Sequence, residues 1–269
     1  MEEEASRLND ARIKDAQASG DVRLIARAAA ILRALTQQPR GASLGELAKA
    51  TGIPRSTVQR LVAALEAERM VTTNAQRPGV RLGVELCRIA AFVEEDAREI
   101  LRPHAELLLE HFHESVDITY WDRDVPVVIE TFASPQALRA VSHLGNRLPL
   151  HCTASGKAHL SLLEPERRAE LLAGPLARHT KRTNCNRAKL LAEIDASAKG
   201  GYFLDRDEFT EGLCAVAVTL DEPSLSDFSI AIVAPAQRFE ANLASYVKAL
   251  RETQFALAAA TRRSRLRRK

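Results

Sequence analysis

Thr51-Gly52-Ile53-Pro54-Arg55-Ser56-Thr57-Val58-Gln59-Arg60-Leu61-Val62-Ala63-Ala64-Leu65 joins a turn signal to a helix with two unlike faces. Proline has a fixed φ and no N–H to leave unbonded, so Pro54 suits the first turn of a helix. From there Val58, Leu61, Val62 and Leu65 recur at helical spacing and turn one stripe toward a core. The other face carries Arg55, Ser56, Thr57, Gln59 and Arg60, with no acid before Glu66. Short hydrogen-bonding groups between guanidiniums can meet both base edges and phosphates, which fits the DNA major groove. An ordinary amphipathic surface helix carries the same pattern, so the neighbouring segments have to decide.

Upstream, Val22, Ile25, Ala29, Leu32 and Leu35 follow a helical repeat that Gln38-Pro39-Arg40-Gly41 ends with turn chemistry. Ser43-Leu44-Gly45-Glu46 is a capping-box pattern opening a short helix with Leu44, Leu47 and Ala48 inward. Thr51-Gly52 stops it, and a short helix, a tight turn and a polar-faced second helix make a helix-turn-helix. Downstream, Met70–Thr73 and Val80–Gly83 are short β-prone runs around the turn-forming loop 74–79. They predict a two-stranded wing with Arg77 and Arg81 at the phosphate backbone. The candidate DNA contacts are therefore Ser43, Arg55, Ser56, Thr57, Gln59, Arg60, Arg77 and Arg81.

Residues 84–99 read as one linker helix, with Leu86, Ala90, Val93, Ala97 and Ile100 at coiled-coil spacing for barely two heptads. Such a helix either packs on its own chain or pairs with its twin in a dimer. Pro103 is expected to open a further helix ending near His113. From Ser115 the periodicity changes: 116–121, 125–130 and 138–141 read as strands, helices follow near 154–163, 166–173 and 187–199, and strands resume at 202–204, 213–219 and 228–233. A last helix is expected over 240–260. That order predicts an α/β domain with a mainly antiparallel sheet, and an α+β chain as a whole. The organisation expected is a mobile arm (1–20), a winged helix-turn-helix (21–83), the linker (84–99), the second domain (100–261) and a disordered basic tail (262–269).

With 269 residues, 46% hydrophobic and 27% charged, the chain can bury more than one core, and its net charge of +3 says little about partners. The charge is unevenly placed: Glu2-Glu3-Glu4 opens the chain, arginines cross 55–81, and a basic run closes it. No apolar run approaches the roughly 20 residues of a membrane span, and the acidic start is unlike a signal peptide. Cys87, Cys152, Cys185 and Cys214 form no CxxC pair, so they are expected as reduced thiols of a cytoplasmic protein.

In order and in local strings the chain resembles the IclR family of bacterial transcriptional regulators, from Val22 to Ala260. The strings are Ser43-Leu44-Gly45-Glu46-Leu47-Ala48, Thr51 through Leu61, Arg81-Leu82-Gly83, Thr153-Ala154-Ser155-Gly156-Lys157-Ala158, Gly201-Tyr202-Phe203-Leu204-Asp205, Glu211-Gly212-Leu213 and Ala234-Pro235. The resemblance implies a linker helix, a GAF-like C-terminal α/β effector-binding domain, and homodimers or dimers of dimers on a palindromic double-stranded DNA operator. Repression is the default expectation.

For the effector, a helix beginning at Thr153 and Ser155 offers N–H groups, and Gly156 would let a ligand approach the backbone closely. The string is not a P-loop, because His151 stands where the first glycine belongs and Ala158 where Ser or Thr does. The resemblance further implies that Asp205, Leu213, Ala215, Ala231 and Val233 line the pocket. The last three are apolar where relatives holding small oxo-acids present hydroxyls or thiols, so an organic acid with a larger apolar part, such as an aromatic acid, is expected.

An alternative is a small-molecule hydrolase or metal-dependent enzyme with an accessory helix-turn-helix. His111 and His113 point to different faces of a helix, and His143, His151 and Cys152 lack ligand spacing, so surface histidines are expected and no metal or cofactor. Asp205, Asp207 and Glu208 have no accompanying nucleophile motif. A helix-turn-helix that only bridges proteins is disfavoured by the unbroken cationic face.

Overall fold

The computed structural model describes residues 23–74, 77–92, 95–220 and 222–267, so the expected arm (1–20) lies outside the described residues. Two compact units divide at Glu95 and Asp96.

In the first unit a helix whose described part covers 23–36 (α1) precedes α2 (Leu44–Thr51) and α3 (Arg55–Ala67). The expected capping box is present: the Ser43 hydroxyl accepts the Glu46 N–H at 3.2 Å, and the Glu46 carboxylate accepts the Ser43 N–H at 2.8 Å. Gly52 ends α2 in the left-handed region at φ 68°, where a side chain would be strained. Pro54 caps α3 instead of opening it; its carbonyl accepts the N–H groups of Thr57 and Val58, and the helix starts at Arg55. Val58, Leu61, Val62 and Leu65 are all buried, as the spacing requires.

The first helix keeps Leu32 and Leu35 of the expected stripe but turns Ile31 and Ala28 inward in place of Ile25. Ile31 and Leu35 are fully packed and Ala28 and Leu32 partly so, whereas Ile25 is 71% exposed and Val22 lies outside the described residues. The unbroken apolar run 28–32 fits two registers, and only contact with α2 and α3 chooses between them. β1 (Val71–Asn74) and β2 (Arg77–Leu82) pair antiparallel, and Ala42 bridges Val80, so the wing is fastened to the turn after α1. The single helix expected over 84–99 is two: α4 (Val84–Ala90) and α5 (Glu95–Phe112).

Pro103 lies inside α5 and does not open a helix. An interior proline costs about 3 kcal/mol. Here Ala97, Leu101, Ala105 and Leu108 form one buried stripe across it, and their packing offsets that loss. The sheet of the second unit contains β3 (Ser115–Asp122), β4 (Val125–Phe132), β5 (Phe203–Arg206), β6 (Leu213–Thr219) and β7 (Phe228–Pro235) in the order β4-β3-β7-β6-β5, antiparallel throughout. Its helices are α6 (Ala154–Ser161), α7 (Pro165–Leu171), α8 (Arg187–Gly200) and α9 (Ala236–Arg267). The helix expected to end at 260 thus continues through most of the tail that was expected to be disordered.

Alternation gives the sheet two unlike faces. Val116, Ile118, Val216, Val218, Ile230 and Ile232 pack with α5 and α9 in one large-residue core. The other face presents Ala215, Ala217 and Ala231 to α6 and α8, with Asp117, Thr119 and Ser229 buried on it. Leu138–Val141, expected as a strand, is irregular. Its carbonyls are bonded by side chains: Ser115 Oγ donates to Ala140 at 2.8 Å and Arg238 to Leu138 at 2.9 Å, so it needs no strand partner.

Ile31→Ala is expected to destabilise the first unit by about 2–5 kcal/mol, whereas Ile25→Ala changes stability by less than about 0.5 kcal/mol. Denaturant unfolding of the two variants checks this, and equal losses would return the expected register.

Candidate nucleic-acid interface and ligand cavity

Of the candidate DNA contacts, Arg55, Ser56, Gln59 and Arg60 are exposed on α3 and Thr57 is half-buried beside them. No side-chain hydrogen bond caps the N-terminus of α3, and no acid lies in its first turn, so this cationic end is unneutralised from within the helix. Glu66, nearly two turns beyond Arg60, accepts the Thr73 N–H at 2.8 Å and the Thr73 hydroxyl, which ties β1 to α3. The same bonds hold its carboxyl below the usual carboxylate range.

Two candidates have structural duties. Ser43 is exposed, but its oxygen caps α2. Arg81, expected at a phosphate, donates to the Arg40 carbonyl and lays its stem against Gly41, while its Nε is buried. It fixes the wing to the preceding turn. Arg77 begins β2, and its side chain lies outside the described residues.

In the second unit a cavity of about 110 Å³ opens between the small-residue face of the sheet, the N-terminus of α6 and the irregular segment 138–148. At about 10–15 Å³ per water, it has room for several waters or one small ligand. Thr153, Ser155, Asp205, Leu213, Ala215, Ala231 and Val233 all line it. Gly156 does not. A Cβ there would stand 2.5 Å from the Pro149 carbonyl oxygen, so its bare Cα makes room for the chain at 149–150 and not for a ligand. Its N–H is bound by Thr153 Oγ1 at 3.0 Å, and the Lys157 N–H by the Thr153 carbonyl at 3.0 Å, so part of the helix end is capped internally.

Sequence reasoning missed Asp117, Ser142, Asn146, Phe209 and Thr210, which also line the cavity. The available signal was an acid amid the β-branched run Val116-Asp117-Ile118-Thr119, where alternation places it on the face of Thr119. Asp117 is buried, accepts the Ser142 hydroxyl through one oxygen, and lies opposite Thr131, whose side chain also bonds the carboxyl. Burial raises its pKa above the ordinary carboxylate value. Asp205 accepts the Glu208 N–H at 2.8 Å and the Phe209 N–H at 3.4 Å. Burial pushes it up to about 7, the neighbouring Glu208 adding to the rise while the two N–H groups and Lys157 oppose it.

Lys157, in the string read as a ligand cradle, is 1% exposed and is not among the residues that line the cavity. Its ammonium donates to Glu208 at 2.6 Å, Glu193 at 2.7 Å and the Leu204 carbonyl at 2.9 Å. His111 and His113 are exposed, as is His143, but His151, expected on the surface, is buried. It pairs its Nε2 with the Ala177 carbonyl at 2.8 Å and lies with Cys152 and His179 so that their ligand atoms fall within 4.8 Å of one another. Burial pushes the Cys152 thiol up to about 12, which keeps it protonated.

Comparison with known proteins agrees with this division of the chain. The family model described as the IclR helix-turn-helix domain matches residues 24–75, and that of the bacterial transcriptional regulator IclR C-terminal matches residues 89–259. The chain is 40% identical over 229 residues to the HTH-type transcriptional regulator Rv1719 of Mycobacterium tuberculosis, covering 84% of this chain and 88% of that one. It is 35% identical over 220 residues to the HTH-type transcriptional regulator TtgV of Pseudomonas putida, covering 82% and 84%. Among solved structures, an IclR homolog from Microbacterium hydrocarbonoxydans complexed with 4-hydroxybenzoate superposes with a TM-score of 0.78 at 21% identity, covering 87% and 97%, a likeness of fold. Among the described residues, no helix is long and apolar enough to cross a membrane.

Because Asp205 ionises near 7 in the folded chain and near 4 when unfolded, folding retains its proton between those values and stability falls as pH rises through them. Asp205→Asn, which keeps an oxygen for the two N–H groups, is therefore expected to melt higher than the parent above about pH 7 and to lose that advantage below about pH 4. Thermal melts across this range check the sign; a variant less stable than the parent at every pH contradicts it.

Proposed function

The chain belongs to the IclR family of bacterial transcriptional regulators, which are DNA-binding regulators and not enzymes, and on that premise we propose that it is a cytoplasmic, ligand-responsive repressor binding a palindromic operator as a dimer or dimer of dimers. The observation that carries this reading is the exposed face of α3, where Arg55, Ser56, Gln59 and Arg60 stand free of acids while the opposite stripe is buried. Arg pairs with guanine and Gln with adenine in the major groove, and Ser and Thr serve base or phosphate. Arg77 supplies a phosphate contact from the wing, whereas Ser43 and Arg81 contribute by holding α2 and the wing in place. In a dimer, half-sites lie about 34 Å apart, one helical turn, or a multiple of it.

The cavity bordered by Thr153, Ser155, Asp205, Leu213, Ala215, Ala231 and Val233 is the effector site in this reading. A ligand that prefers one arrangement of the protein shifts DNA affinity by its differential affinity for the two. The volume and the apolar walls suit a single-ring compound, and the 4-hydroxybenzoate held by the Microbacterium relative is of that size class. The sequence expectation of an organic acid meets two carboxyls in the lining, so the ring is better supported than the acid.

Footprinting on DNA upstream of the gene itself and of its neighbours tests the regulator reading, and the absence of any protected palindrome at physiological salt contradicts it. On such an operator, Gln59→Ala is expected to cost about 1–3 kcal/mol and relax preference at one base pair. Arg77→Ala is expected to weaken operator and random DNA alike and to flatten the salt dependence. Equal losses on both DNAs for both variants would refute this division of roles.

A further inference from the structure

We propose that His151, Cys152 and His179 form a binding site for a zinc-class divalent ion, apart from the cavity read as the effector site.

Spacing in the sequence gives no ligand pattern here, and the fold brings the three together. His151 and Cys152 lie in the turn before α6, and His179 comes from the irregular stretch 175–179 between α7 and α8. One ligand atom from each side chain lies within 4.8 Å of the other two. In a tetrahedral zinc site, bonds of about 2.0–2.1 Å to nitrogen and about 2.3 Å to sulfur place ligand atoms roughly 3–4 Å apart. Rotation of the side chains closes a gap of that order. His179 is exposed, which gives an ion its approach and leaves the fourth position to water.

Both arms of the site are held by bonds of their own. The His179 N–H donates to Thr183 Oγ1 at 3.0 Å, and that hydroxyl donates to the Glu208 carbonyl at 2.7 Å. The His179 ring stands edge-on to Phe209, with centroids 5.1 Å apart. On the other arm, Thr153 Oγ1 donates to the Pro149 carbonyl at 2.7 Å and closes the turn that carries His151 and Cys152. Because His151 Nε2 donates to the Ala177 carbonyl, the neutral ring keeps its lone pair on Nδ1. Ligating histidines ordinarily make such a second bond, which fixes tautomer and orientation.

The donor set decides the class of ion. Two imidazoles and a thiol are nitrogen and sulfur ligands, and no carboxylate belongs to the cluster, so zinc-like ions are favoured over magnesium or calcium. On binding, the S–H bond of Cys152 is replaced by a metal–sulfur bond and its proton passes to solvent, while the imidazoles give lone pairs. The ion then ties the turn before α6 to the 175–179 stretch. Both reach the cavity wall, one through Thr153 and the other through Phe209.

The test is absorbance titration of the full chain, stripped with a chelator, with Co²⁺. A thiolate-to-cobalt charge-transfer band and the visible bands of a four-coordinate ion are expected, with displacement by Zn²⁺. Zn²⁺ is also expected to raise the melting temperature, and Mg²⁺ to leave it unchanged. Cys152→Ser is expected to lose the charge-transfer band, and His179→Ala, at an exposed position, to weaken Co²⁺ binding by at least about tenfold. Cys87→Ser, at an exposed thiol, is expected to change neither. His179→Ala carries the test alone if Cys152→Ser does not fold. Absence of the thiolate band, its loss in Cys87→Ser, or parental band and affinity in Cys152→Ser or His179→Ala overturns the proposal.

Discussion

A buried ammonium has to be surrounded by acceptors, and the second unit is arranged around that requirement at Lys157. Its charge is satisfied by carboxylates from α8 and from the loop after β5, with a backbone carbonyl from β5 itself. Removing one partner of such a group is far more damaging than replacing the whole set, so the three elements are obliged to meet at α6. The same contact decides the chemistry of the neighbouring cavity. By drawing the cation of the Thr153–Ala158 string to Glu193 and Glu208, it leaves hydroxyls and carboxyls as the polar side chains that this string and Asp205 present to the cavity.

The cavity itself comes from the inequality of the two sheet faces. Large β-branched residues on one face pack against α5 and α9. Alanines and short polar residues on the other let α6 come close over β5, β6 and β7, and leave a void where the helix begins. Gly156 belongs to this packing, since its bare Cα admits the 149–150 backbone and thereby fixes where α6 starts.

In the first unit, short connections set the geometry of the exposed face. Gly52 takes the left-handed conformation that turns the chain between α2 and α3, and the Ser43–Glu46 capping box fixes where α2 begins. Glu66 then couples α3 to β1 through Thr73, and Arg81 couples β2 to the turn at Arg40. The face carrying Arg55 and Gln59 is thus held from both sides by side chains that the DNA itself has no need to touch.

The sequence by itself determined what local rules reach. The capping box at Ser43, the glycine stop at Gly52, the buried stripe of α3 and the strands at 116–121, 125–130, 213–219 and 228–233 follow from spacing and side-chain type within a few residues. Seven of the eighteen residues that line the cavity were legible too, most of them through likeness to a family and not through periodicity. Only the tertiary structure decided the register of α1, where a run of apolar residues fits two faces, and the passage of α5 through Pro103, where burial overrode a local breaker. It also decided that Arg81 and Gly156 serve packing and that Asp117 faces a void. A residue's partners across the fold are chosen by which elements pack together, and that choice is made by burial and charge compensation between segments far apart in the chain.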